Sequence, residues 1–91
     1  MVTVTGKLID EATLSGIEQT PIYLDKKIVA VTDEDGNYTM SVPAGAYRLE
    51  IRPREFLYVI RDVQVTPDGR MIDTKTGKPV KKAMSLTRAT L

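Results

Sequence analysis

An all-β fold of about seven strands is what this sequence predicts. Three observations carry that reading. Short stretches of alternating apolar and polar residues recur, as in Tyr38, Met40 and Val42 against Asn37, Thr39 and Ser41. Turn-forming residues punctuate them at Asp35-Gly36, Pro43-Ala44-Gly45 and Thr66-Pro67-Asp68-Gly69. No segment sustains a helical apolar period, so helix has little claim on the chain.

Residues 2–9 form the first expected strand, with Val2, Val4 and Leu8 facing inward and Gly6 at a bulge. Residues 10–20 are polar around Gly16 and read as an irregular loop, longer than a hairpin needs and open to functional use. Pro21 opens a second strand, where a missing N–H is tolerated, with Ile22 and Leu24 on one side. Asp25-Lys26-Lys27 is a turn, and residues 28–32 are a short β-branched strand.

Residues 32–49 are expected to form a β-meander with one buried face. Asp35-Gly36 tolerates the positive φ of a tight hairpin turn. Pro43 pre-sets its own φ for a second turn, and Gly45 can take the left-handed closing position. Tyr47, Leu49 and Ile51 then alternate with Arg48 and Glu50. After Arg52-Pro53-Arg54-Glu55 comes an apolar run: Phe56, Leu57, Tyr58, Val59 and Ile60. Such a run reads as a strand buried on both faces or as one lying against another chain. Val63 and Val65 resume the alternation before Pro67 and Gly69 turn the chain.

Thr32, Asp33, Asp35, Gly36 and Tyr38, followed by Val42, Pro43, Gly45, Tyr47 and Leu49, resemble the pattern of carboxypeptidase regulatory-like domains. Gly6-Lys7-Leu8-Ile9-Asp10, Gly16-Ile17 and Pro21-Ile22-Tyr23-Leu24 fit the same pattern upstream, so the resemblance covers residues 2–65. It implies a single Greek-key β-sandwich of the transthyretin-like (prealbumin-like) kind spanning residues 1–91. Modules similar to this occur in phage tail fibres and bacterial surface proteins, and the resemblance specifies fold better than function. The zinc chemistry of carboxypeptidases lies in a separate domain, and transthyretin-like hydrolases depend on histidine.

The tail does something this pattern does not require. Gly69-Arg70-Met71-Ile72-Asp73, then Gly77-Lys78-Pro79-Val80 and Ala83-Met84-Ser85-Leu86, echoes the opening strands. In one reading it supplies the last hairpin of the same sandwich. In the other, residues 67–91 are a hairpin that extends to an edge of a neighbour. Phe56, Leu57, Tyr58, Ile72, Val80, Lys81, Lys82, Met84 and Leu86 are then the expected interface.

Composition narrows the chemistry. The 91 residues include no cysteine, histidine or tryptophan, so neither a thiolate nor an imidazole is available as nucleophile, base or ligand. Ser15, Ser41 and Ser85 sit in no recognisable elbow, and no catalytic residue and no cofactor are expected. Asp33, Asp35 and Asn37 are spaced like the start of a calcium loop, which needs a carboxylate at its end where this chain has Ala44. They are weak metal candidates, and no metal is expected. Arg52, Arg54, Phe56, Tyr58 and Arg61 mix basic and aromatic residues, but the run is too apolar for a wet nucleic-acid groove. No apolar run reaches the length of a membrane span or of a signal-peptide core. Net charge is +1, yet residues 1–50 carry four basic against eight acidic side chains and residues 51–91 nine against four.

The function expected is that of a non-catalytic structural or interaction module assembling through chain–chain contacts, as a homo- or hetero-oligomer. The setting expected is a virion (capsid decoration, neck or tail fibre) or the cell surface. The alternatives are a carbohydrate-binding or adhesion module and an accessory domain of a peptidase. A sugar platform generally needs several coplanar exposed rings, and the chain has five aromatic residues, of which Tyr38 and Tyr47 are expected in the core.

Overall fold

The computed structural model describes residues 1–89 and contains no helix among them. Eight strands follow one another: β1 (Val2–Asp10), β2 (Pro21–Leu24), β3 (Lys27–Val31), β4 (Asn37–Val42), β5 (Gly45–Ile51), β6 (Val59–Val65), β7 (Met71–Asp73) and β8 (Ala83–Leu86). They build two sheets, of order β4-β1-β8 and β3-β2-β5-β6-β7. The result is an all-β sandwich with one strand more than the alternation suggests. Between the sheets lie Leu8, Ile22, Met40, Leu49, Ile51, Val63 and Val65, each essentially without solvent exposure. Period-two alternation places them there: in β4, Tyr38, Met40 and Val42 are buried while Asn37, Thr39 and Ser41 are exposed.

The meander expected over residues 32–49 does not form. β4 leaves the sheet of β3 and β5 and pairs antiparallel with β1, from Val2 opposite Val42 to Lys7 opposite Asn37. β3 and β5 both flank β2 instead. The two turn signals therefore mark crossings between layers, because alternation fixes which side of a strand is buried but not which strand lies beside it. At the first crossing Gly36 has φ 81°, and a Cβ there would run into the Leu8 carbonyl. At the second, the Tyr47 hydroxyl donates to the Pro43 carbonyl at 2.6 Å and ties β5 back to the end of β4.

Gly6 is not a bulge. The β1–β4 register passes through it without a shift, and its missing side chain makes room for the Tyr38 ring that lies against it. The irregularity falls instead between β2 and β3, where Ile22 faces Ala30 and Tyr23 faces Ile28, leaving Val29 over. Asp25 and Lys26 make a two-residue hairpin loop with φ of 50° and 67°, and Lys27 already belongs to β3.

The loop 11–20 is tied down rather than free. Ile17 is buried and donates its N–H to the Leu8 carbonyl at 2.9 Å. The buried Thr32 hydroxyl donates to the Ile17 carbonyl at 2.7 Å and accepts from the Thr20 N–H at 2.9 Å.

The tail belongs to the same sandwich, although not as a hairpin. β7 adds antiparallel to β6, whereas β8 crosses to the other sheet and runs parallel to β1, Lys7 opposite Ala83 through Asp10 opposite Leu86. Beyond it, Leu57 and Ala89 donate backbone N–H groups to the Thr87 and Glu55 carbonyls at 2.8 and 2.9 Å. The extending hairpin over 67–91 is thus replaced by two separated edge strands. Thr90 and Leu91, the end of that expected tail, lie outside the described residues.

Candidate contact face on the five-stranded sheet

The run of residues 56–60 is not one strand, which corrects the reading of a strand buried on both faces. Phe56 and Val59 turn into the core, while Leu57, Tyr58 and Ile60 stay exposed, and β6 begins only at Val59. Tyr58 and Ile60 open onto the outer face of the five-stranded sheet. Cross-strand register there assembles a row: Ile28 of β3 opposite Tyr23 of β2, Tyr23 opposite Glu50 of β5, and Glu50 opposite Ile60 of β6. Pro21 opposite Val31 begins the adjacent row. Ile28, Val31, Tyr58 and Ile60 are 60%, 54%, 64% and 43% exposed, so four large apolar side chains face water on one side of one sheet.

Glu50 is buried at the middle of this face. Its carboxylate accepts from Arg52 Nη2 at 2.6 Å and stands 3.9 Å from Arg48 Nε. Residues 48, 50 and 52 alternate onto the same side of β5, which is why two arginines bracket one glutamate. Arg52 also stacks on Tyr23, 5.7 Å from the ring centre. The hydrogen bond to Glu50 holds the Arg52 guanidinium above its ordinary pKa. Asp62 stands opposite Arg48 on β6. The face therefore carries balanced charge within an apolar surround.

The residues singled out from the sequence fall elsewhere in part. Phe56 and Leu86 are core residues, and Ile72, Val80 and Met84 are half-buried, with Val80 and Met84 packed against the core. Lys81 and Lys82 are exposed on the link between β7 and β8. Of the expected interface, Leu57 and Tyr58 are the exposed apolar residues, and on this face Tyr58 is joined by half-buried Ile72, opposite Gln64 of β6. The missing members are Ile28, Val31, Glu50, Arg52 and Ile60. For Ile28, Val31 and Ile60 the signal was the outward half of a strand carrying β-branched residues where polar ones are the norm.

Asp33, Asp35 and Asn37 come together as a turn. The Asp33 carboxylate accepts the Asp35 and Asn37 N–H groups, both at 2.9 Å, and so serves its own backbone. Among the described residues no three carboxylates converge in a way that could hold a metal ion. Pro67 and Gly69 occupy a loop in which the Gly69 N–H reaches the Thr66 carbonyl at 3.0 Å, with φ 86° at Gly69; Gly45 has φ 154°.

A second polar knot closes the far end of the sandwich. Asp10 is buried at the end of β1, where it accepts from the Ala12 N–H and from Arg88 Nε and Nη2, all at 2.9 Å. Those bonds, the Ala12 N–H foremost, hold its carboxyl below the ordinary 3.8. Arg88 in turn covers Phe56, 5.1 Å from the ring centre.

Compared with known families and characterised proteins, the sequence matches no family model and no characterised protein.

Proposed function

We propose that this chain is a non-catalytic structural module that works by chain–chain contact, with the outer face of the five-stranded sheet as its contact surface and a second copy as its occupant. The observation that carries this is the set of exposed Ile28, Val31, Tyr58 and Ile60 around the buried Glu50 and the exposed Arg52 that pairs with it. Charge on the face is balanced between Arg48 and Arg52 on one side and Glu50 and Asp62 on the other, so two copies meet there without net repulsion. The molecule measures 36 × 26 × 21 Å, and its broad side can supply the roughly 800 Å² per partner of a standard interface. A virion assembly (capsid decoration, neck or tail fibre) is the setting proposed, supported by the resemblance to accessory sandwiches of that kind. A sugar platform is less well supported, because Tyr58 is the one aromatic ring more than half exposed. The experiment is solution mass by light scattering over a concentration series, for the native chain and for Tyr58→Ser/Ile60→Ser. The native chain should associate and the variant should do so about tenfold more weakly. Equal masses throughout would overturn the choice of face.

A further inference from the structure

The two halves of the chain carry opposite charge, and the topology puts part of it, the 33–35 loop and the lysines of the β7–β8 crossing, on opposite edges of the sandwich. β3 and β4 are edge strands of the two sheets and pack together on one side; β7 and β8 are the edge strands on the other. The loop joining β3 to β4 presents Glu34 and Asp35, both exposed and in no ion pair among the described residues. This loop is held rigid: Asp33 caps it through two backbone amides, and the Gly36 N–H donates to the Asp33 carbonyl at 3.0 Å. On the opposite edge, the crossing from β7 to β8 leaves a cleft of about 370 Å³ against β6. Val59 and Met84 line it as apolar floor, and Arg61, Lys78 and Lys81 as cationic wall.

Arg61 sits at an inward position of β6, opposite Leu49, yet it is exposed because the sheets part there. None of the three cations enters an ion pair among the described residues, and Arg61 Nη1 has only the Ile60 carbonyl, at 2.9 Å. Asp73, the one carboxylate lining the cleft, already accepts the Lys75 N–H at 2.8 Å and the Thr76 N–H at 3.3 Å. Three cations against the single Asp73 carboxylate leave the cleft with an excess of positive charge, which an entering anion offsets. The loop and the cleft lie on opposite edges, so one molecule cannot satisfy itself.

We infer that the Glu34-Asp35 loop of a second copy seats in this cleft, a head-to-tail contact between unlike edges. Such a contact is heterologous, so it propagates into a ring or a filament rather than stopping at a dimer. It deepens the assembly reading but uses a different surface, and it is electrostatic where the sheet face is apolar.

The test is made in the Tyr58→Ser/Ile60→Ser chain, so that loss of the apolar contact and loss of this one are told apart. Sedimentation velocity at about 0.05 M and about 0.5 M salt should show association falling at least about tenfold at the higher salt. Lys78→Glu/Lys81→Glu and Glu34→Lys/Asp35→Lys should each abolish it, with unchanged melting temperatures because all four side chains are exposed. Mixing the two variants brings an intact loop to an intact cleft, and the two reversed sites are themselves of opposite charge, so association should return on mixing. Association that is indifferent to salt, that survives either charge reversal, or that fails to return on mixing would overturn the inference. So would a chain that stays monomeric at low salt, and none of these outcomes touches the sheet-face contact.

Discussion

Lys26 holds a left-handed backbone, φ 67°, at the second position of the β2–β3 loop. A side chain there is strained, whereas glycine is the residue such two-residue loops favour. Lys26→Gly should therefore raise stability by about 0.5–1 kcal/mol net of glycine's greater unfolded freedom, read as a melting-temperature gain of a few degrees. Gly36→Val is the opposite case. Positive φ and the clash of a Cβ with the Leu8 carbonyl act together, and a loss of roughly 2–4 kcal/mol is expected in chemical denaturation. Asp10 sets a pH dependence. Its folded pKa lies below the unfolded value, so its contribution is present above the unfolded pKa and is lost as pH falls through the folded one. Asp68, lowered first by the Thr66 hydroxyl, acts in the same direction. Melting temperature should fall on acidification below about pH 4, and less steeply for Asp10→Asn than for the native chain. Identical slopes would assign the acid response to other carboxylates. Asp10 and Arg88 stand 78 positions apart, and no local pattern in the sequence links them.

β8 is the element whose placement matters most. It is the parallel partner of β1 and brings Leu86, 2% exposed, into the core. Leu86→Ala should cost about 2–4 kcal/mol, the usual scale for removing a buried leucine side chain. A chain ending at Thr66 loses β7, β8, Met71 and Leu86 together, and it exposes one edge of β1. Far-ultraviolet circular dichroism of that shortened chain should show no cooperative melting. A stable fold would mean that the tail is dispensable, as the extending-hairpin reading required. The echo of the opening in the tail was visible from the residues. That β7 and β8 go to different sheets was not, because a parallel pairing needs a crossover whose path no turn motif specifies.

At the level of the whole molecule, charge and apolar surface are sorted onto different sides. The outer face of the five-stranded sheet is apolar with balanced charge, and the two lateral edges are acidic and basic. Assembly through the face should hold in salt, whereas assembly through the edges should not. Raising ionic strength in light scattering should accordingly leave a limiting species of fixed small mass if both contacts operate. A mass that falls to the monomer with salt would remove the face from the account.

The residues alone determined that the chain is all β, where most strands start and stop, and which side chains of β2 and β4 are buried. Those properties are local: alternation, proline, glycine and the Asx turn act over a few neighbouring positions. Only the tertiary structure decided that β4 joins β1 instead of its sequence neighbours, and that Gly6 accommodates Tyr38. It also decided that Phe56 is core while Tyr58 and Ile60 are surface. Each of these depends on partners tens of residues away, and an apolar residue on a strand reads the same whichever sheet covers it. The candidate face followed the same rule: Ile28, Tyr23, Glu50 and Ile60 become one row only when the register of four strands is fixed.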